Sequence, residues 1–504
     1  MRVQLFIPPG GYAAERWTKG SSMPPLGILH IAAALEREGV AVRVVPAEVL
    51  KLGWRDIEGE VRSFEPDIVG VTSFTENRFQ SFELIRRSKK ARPGALTVMG
   101  GPHASMAAED TIAHLPELDL VVRGEGEETM KELCRALETG RPGPDVFGRV
   151  AGLVFRGRDG RPAASPPRRP ILDLDSVPPP AFHLIPFEKY NFTFEVPGHG
   201  ALPAVNVMTS RGCPFNCSFC ATPVNWGRRV RMRSPENVVR EIENLVARYG
   251  VRVIFFYDDT FNADPRRVEA VCDLLLERKL GVFWKCDVRM DLMTRPLLAK
   301  MKRAGLFHLS FGLEAGSERV RNQIVGKKID IRDFHNLVRW CNELEVVPNV
   351  FFIFSHPTET WEEAQETIDI IESHEGRIEG SIAILHVYPG TPLERTAREA
   401  GVLPPGFSWT KRDFSRIITL PMAQGDVPLF IDRLTWRQVS ELVFRWSFSA
   451  GRKTSVLRRL PQVLKHIRSA GDVRRYLVMA WVYLRLRLGR LFGKKPSRDG
   501  RRLR

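Results

Sequence analysis

Short runs of aliphatic and β-branched residues alternate with stretches of helical period along the first 140 residues. Val3–Ile7, Val40–Val45, Asp67–Thr72, Leu96–Met99 and Leu118–Val122 read as strands, since each is a compact apolar run bounded by turn residues. Leu26–Glu38 and Phe79–Lys90 repeat apolar residues at helical spacing. Such β-α units imply a doubly wound parallel sheet, a Rossmann-like domain over residues 1–142. Ligands of these sheets sit at the carboxyl ends of the strands. Here those ends are Pro8-Pro9-Gly10-Gly11, Ser73-Phe74-Thr75, Gly100-Gly101-Pro102-His103 and Gly124-Glu125-Gly126-Glu127. Glycines there let backbone approach a large ligand.

Residues 143–200 are rich in Pro and Arg, with Pro166-Pro167 and Pro178-Pro179-Pro180, and read as an extended linker. The alternation resumes at Val205. Ser234-Pro235 opens a helix by the capping rules, Val238, Ile242, Leu245 and Tyr249 keep its spacing, and Gly250 ends it. Strands follow at Val251–Tyr257, Phe283–Cys286, His308–Gly312, Asn349–Phe354 and Ile382–Val387. The pattern predicts a full or partial (β/α) barrel over residues 201–404, with its site on the carboxyl face. Residues 405–504 read as a helical, basic C-terminal region, disordered from Lys494 to Arg504.

Charge changes the picture only at that end. The net charge is +16, but residues 451–504 alone carry 17 Lys/Arg against Asp472 and Asp499. The high pI therefore describes a tail, and a nucleic-acid reading built on it would mislead. No run of about 18 apolar residues exists to span a membrane. Tyr476–Leu484 is an apolar run of nine with flanking arginines. It suits an interfacial helix on anionic lipid. Arg474, Arg475, Arg485, Arg487 and Arg490 do not share one helical face, however, and a packed helix with a solvated basic end fits equally. Seven cysteines in 504 residues are no disulfide framework, and three within eight residues point to a metal site in a reducing cytoplasm. Cys134, Cys272, Cys286 and Cys341 read as core residues, with Cys286 also placed to face a pocket.

The clustered cysteines are Cys213, Cys217 and Cys220, spaced C-x3-C-x2-C. Thiolates are the soft ligands of iron–sulfur clusters. Three ligands for four irons leave one iron open to a small molecule. This loop resembles the signature of the radical S-adenosylmethionine superfamily. The resemblance covers roughly residues 200–395 and extends to Asp258-Asp259, to Arg289, to Phe311–Ser317 with Glu314, and to Tyr388-Pro389-Gly390-Thr391-Pro392-Leu393. It implies a [4Fe–4S] cluster, S-adenosylmethionine on the open iron, and Phe219 against the adenine. One segment departs: the family's Gly-hydrophobe-Pro-Gly-Glu-Thr reads Ser355-His356-Pro357-Thr358-Glu359-Thr360. Lost glycines there would narrow the pocket or alter the cofactor's pose.

No G-x-G-x-x-G follows the first strand, which argues against a nicotinamide cofactor. Ahead of a radical enzyme core, the first domain resembles the cobalamin-binding domain of cobalamin-dependent radical enzymes. The likeness lies in Pro24-Pro25-Leu26-Gly27, Gly100-Gly101-Pro102-His103 and Gly124-Glu125-Gly126-Glu127. It implies cofactor-binding roles for Pro24, Leu26, Gly27, Ser73, Thr75, Gly100, Gly101, His103, Gly124 and Glu125 in the first domain, and for Phe219, Asp258, Asp259, Arg289 and Glu314 in the second. The cobalt-ligating Asp-x-His-x-x-Gly is absent, and His103 is the substitute to consider. The chemistry implied is radical transfer of a methyl group from cobalamin to an unactivated carbon of a small or lipid-like substrate. Flavodoxin or ferredoxin would donate electrons, and the setting would be cytoplasmic or peripheral at the inner membrane face. A tetrapyrrole-cyclase-type reaction and a non-catalytic iron–sulfur and cobalamin sensor are the alternatives. A methylthiotransferase would need a second cysteine cluster, which the first domain lacks.

Overall fold

The computed structural model describes residues 1–9, 23–413, 417–418, 426–449 and 470–491. Gly10-Gly11 and the tail Lys494–Arg504 lie outside them. The first sheet has the order β2-β1-β3-β4-β5-β6-β7. β1 (Arg2–Ile7), β2 (Ala41–Pro46), β3 (Ile68–Thr72), β4 (Leu96–Gly100) and β5 (Leu120–Val122) are parallel, whereas β6 (Leu153–Arg156) and β7 (Pro162–Ala164) run antiparallel. Alternation within β1 sends Val3 and Leu5 to one side and Phe6 to the other. The helices Leu26–Arg37 and Gly126–Thr139 cover the first side, and Trp54–Phe64 and Arg78–Ala91 the second.

This sheet continues beyond residue 142. β6 and β7 arise from the stretch expected as linker, and their antiparallel return covers the edge of β5. The remaining proline-rich chain is also ordered. Ala181 N donates to Leu29 O at 3.1 Å, and the Phe182 ring meets Tyr249 at 6.0 Å. Ala181 and Phe182 at its far end are thus packed between the two halves of the molecule.

The second sheet has the order β16-β15-β14-β13-β12-β9-β8. β8 (Thr193–Val196) and β9 (Gly200–Val207) form an antiparallel hairpin. β9, β12 (Val253–Phe256), β13 (Phe283–Asp287), β14 (Leu306–Glu314), β15 (Val347–Phe354) and β16 (Glu379–Ile384) are parallel. β16 does not pair with β8, so the barrel is partial. Outward side chains such as Val207, Phe256, Trp284, Phe311 and Phe352 form the core under the surrounding helices. Cys286 is fully buried in that core and does not face a pocket. β16 starts three residues before the apolar run Ile382–Val387, because its polar first half, Glu379-Gly380-Ser381, pairs with Asn349–Phe351.

Beyond the barrel, Phe430 N donates to Leu385 O (2.8 Å) and Val387 N to Pro428 O (2.9 Å), extending that edge. The helix Trp436–Ser449 packs on the barrel, with Arg445 paired to Glu372 (2.8 Å) and Trp446 Nε1 donating to Gly380 O (2.9 Å). The helix Ala470–Leu491 lies on it in turn.

Candidate functional site

The cysteine loop leaves β9 through a small ribbon, β10 (Ser210–Arg211) paired antiparallel with β11 (Arg231–Met232). Gly212 follows at φ +96°, and a β-carbon there would lie 2.5 Å from Arg229 O. Only glycine makes this turn. Cys213, Cys217 and Cys220 are all partly exposed thiols. Cys213 Sγ lies 3.4 Å from Thr260 Oγ1. Burial pushes the Cys217 thiol up to about 11, opposed by the Lys327 ammonium. Three soft donors spread along one loop fit an inorganic cluster.

The segments that carry the family likeness converge on this loop. Ser218 N donates to Val325 O (3.0 Å), Ser218 Oγ to Ile324 O (2.9 Å), and Leu393 N to Ser218 O (3.1 Å). Arg289 lies over the Phe215 ring at 3.6 Å and donates to Asp291 and to Lys327 O. Glu314 stands at φ +68° and pairs with Lys327 Nζ at 2.5 Å. Its carboxylate folds back over Gly312, where no β-carbon would fit.

Asp258 and Asp259 differ in role. Asp258 accepts from Thr209 N (3.0 Å), Thr209 Oγ1 (3.0 Å) and Ser210 Oγ (2.5 Å), clamping the chain as it enters the loop. Asp259 accepts from Thr222 Oγ1 at 2.7 Å and faces a cavity. Burial, reinforced by Asp258 and opposed by the Thr222 hydroxyl, pushes the Asp259 carboxyl up to about 6.

That cavity, about 430 Å³, lies between the two sheets. Its walls on one side are the strand ends of the first domain, with Pro24, Leu26, Gly27, Gly100, Gly101, Gly124 and Glu125. On the other they are Asn206, Met208, Ala221, Thr222, Tyr257 and Asp259, next to the cysteine loop. A β-carbon at Gly27, Gly100 or Gly124 would meet nothing within 4 Å. Their bare backbone leaves a broad cradle of the kind a large planar cofactor needs.

Ser73, Thr75 and His103 are not in the lining. His103 is fully buried, its Nδ1 3.2 Å from Thr75 Oγ1 and its ring between Phe82 and Trp409. It stands behind the wall of the cavity, packed in protein. Ser73 is spent on backbone: its N donates to Gly100 O and its O accepts from His103 N.

Buried ion pairs join the two sides. Arg211, next to Gly212 and Cys213, pairs with Glu125 (2.7 Å) and Glu127 (2.6 Å). Arg231 pairs with the same Glu125 (2.7 Å) and donates to Ile171 O (2.6 Å). His30 beside them donates from Nδ1 to Pro178 O (2.9 Å), and burial, aided by Arg211, lowers its pKa to about 4. Sequence reasoning missed Arg211, Arg231 and His30. The available signal was an arginine directly before the loop and two glutamates at a sheet end, charges with no local partner.

The departing segment has the left-handed backbone that favours glycine. Ser355 and Thr358, at the two lost glycine positions, have φ +71° and +61°. Glu359 Oε2 accepts from Ser355 N (2.6 Å) and His356 N (3.0 Å) and holds the turn. His356 packs its ring against Phe219 at 6.3 Å. The segment thus sets a buried imidazole beside Phe219.

The inner face of the second sheet is polar. Ser381 Oγ donates to Asn349 Oδ1 (3.1 Å) and Asn349 Nδ2 to Ser310 Oγ (3.3 Å). Lys285 lies over Phe255 (4.4 Å) and Phe194 (4.8 Å), and burial lowers its pKa.

Comparison with known proteins agrees with this geometry. The model of the radical SAM superfamily matches residues 207–371, and that of the B12 binding domain residues 18–134. An uncharacterised methyltransferase of Pyrococcus horikoshii is 33% identical over 393 residues, 78% of this chain and 82% of that protein. This chain belongs to the cobalamin-dependent radical S-adenosylmethionine methyltransferases. The family's cofactors are a [4Fe–4S] cluster, S-adenosylmethionine and cobalamin. The anaerobic magnesium-protoporphyrin IX monomethyl ester cyclase of Rubrivivax gelatinosus is 31% identical over 370 residues, 73% of this chain and 65% of that one. The fold is that of the radical S-adenosylmethionine methyltransferase TsrM from Kitasatospora setae, solved with cobalamin and a [4Fe–4S] cluster. Its TM-score is 0.69 at 19% identity, over 96% of this chain and 99% of that one.

Proposed function

We propose that this member of the family transfers a methyl group to an unactivated carbon of a small or lipid-like molecule held between its two halves. One observation carries the reading: a single cavity is lined at once by the glycine cradle of the first domain and by residues flanking the cysteine loop. Cys213, Cys217 and Cys220 would hold the cluster, and Gly27, Gly100 and Gly124 would let cobalamin lie close to backbone. When bound, the cluster with S-adenosylmethionine supplies a radical, and cobalamin supplies the methyl group. The protein's own part is placement. Asp258 sets the loop's entry, Arg211 ties the loop to the first domain, and Glu314 with Lys327 offers a charged pair beside it. No side chain is required as a general base for the transfer. Asp259 accepts a hydrogen bond from Thr222 at the cavity wall. A flavodoxin or ferredoxin serves as electron donor.

The cyclase relative supports a second reading, oxidative ring closure in the same cavity. Anaerobic reconstitution with both cofactors and S-adenosylmethionine carrying a deuterated methyl group separates the two. The methyl-transfer reading expects the label in a product from a candidate extract. A product without label, formed at the same rate, would favour the cyclase reading.

A further inference from the structure

The helix Ala470–Leu491 is apolar on two opposite faces. Val478, Met479, Val482, Tyr483 and Leu486 pack on Phe444 and Phe448 of the helix beneath. Val473, Leu477, Trp481, Leu484 and Leu488 recur every three or four residues on the other side and are 41–65% exposed. Of nine large apolar residues exposed among the described residues, these are five. A stripe this continuous on one helix differs from the scattered apolar residues of an ordinary surface.

Its borders are cationic. Helical geometry puts Arg474 and Arg485 along one edge and Arg487 along the other, all exposed. The Arg437 and Arg485 guanidiniums lie 4.7 and 5.4 Å from the Trp481 ring. Arg474, Arg485 and Arg487 thus frame an apolar strip. Residues 451–504, to which the helix belongs, hold 17 Lys/Arg against two Asp. Among the described residues no helix is long and apolar enough to cross a membrane.

We infer that this face docks in the plane of an anionic lipid bilayer, with the stripe among the acyl chains and the arginines at the headgroups. Charge selects this occupant. Two copies pairing through the stripe would bring two strongly basic segments together, and a nucleic-acid backbone would leave the apolar strip in water. The helix is joined to the barrel through Trp436–Ser449, with Arg485 paired to Glu441 (2.6 Å) and Trp436 Nε1 donating to Arg475 O (3.2 Å). Docking therefore orients the catalytic body as well as the tail. The inference does not depend on which carbon is methylated.

Flotation of the full-length, anaerobically reconstituted protein with vesicles tests it. Phosphatidylcholine vesicles containing phosphatidylglycerol should carry the protein up, and phosphatidylcholine alone should carry about tenfold less. The double substitution Trp481→Glu and Leu484→Glu should remove flotation while S-adenosylmethionine cleavage is unchanged. Arg474→Gln with Arg487→Gln should weaken binding to anionic vesicles only. Flotation that is equal for the wild type and the Glu variant, or no flotation at all, would overturn the inference. So would light scattering that finds a wild-type dimer broken by the same two glutamates.

Discussion

Single residues divide into those legible locally and those whose partners are far along the chain. Cys213, Cys217 and Cys220 are legible because all three donors occur within eight residues. Replacing Cys217 by Ala should abolish 5′-deoxyadenosine formation, measured by chromatography after anaerobic reconstitution; retained formation would remove the cluster from this loop. Asp258 was visible as an acid after a strand, but its task was not, because Thr209 and Ser210 lie 49 and 48 positions away. His103 stands among glycines in the sequence, and its packing against Thr75, Phe82 and Trp409 was not legible there. Thr358 is a β-branched residue at φ +61°, so Thr358→Gly should stabilise the fold by about 1 kcal/mol in denaturant unfolding. Glu359 gives a pH test. Burial raises its carboxyl to about 7 in the folded state, above the ordinary value near 4.3. The folded state then binds the extra proton between those values, so its stability falls as pH rises through that window. Glu359→Gln should flatten the stability profile between about pH 4.5 and 7 and raise stability above it by roughly 2–3 kcal/mol.

Elements were legible where apolar periodicity is unmixed. The helix Pro235–Tyr249 begins and ends as its caps require, with Ser234 Oγ accepting from Asn237 N at 3.2 Å and Gly250 at φ +64°. β16 was misplaced because its polar half is held by pairing with β15, which composition does not show. β6 and β7 were hidden in a proline-rich stretch because their reason for being strands is the open edge of β5. The ribbon β10–β11 was equally illegible, since it depends on Arg211 and Arg231 meeting Glu125 and Glu127 across the domains. Breaking one partner of a buried ion pair leaves the other charge uncompensated. Glu125→Ala should therefore destabilise the protein by roughly 3–5 kcal/mol in chemical unfolding. The same change should free the loop from the first domain, seen as faster proteolysis between residues 165 and 190.

At the scale of the whole molecule, a cobalamin-type sheet and a partial barrel face each other across one cavity, with the basic C-terminal helices on the barrel's outer side. The two halves were legible as separate βα patterns. Their closeness was not, because it rests on an ordered proline-rich stretch and on ion pairs between residues about 85 and 106 positions apart. That closeness is what makes radical formation and methyl donation parts of one reaction. The direct test is the product ratio from S-adenosylmethionine in the reconstituted enzyme with substrate. Methyl transfer from cobalamin predicts 5′-deoxyadenosine and S-adenosylhomocysteine in equal amounts, both rising with methylated product. Steady formation of 5′-deoxyadenosine and altered substrate without S-adenosylhomocysteine would contradict the account.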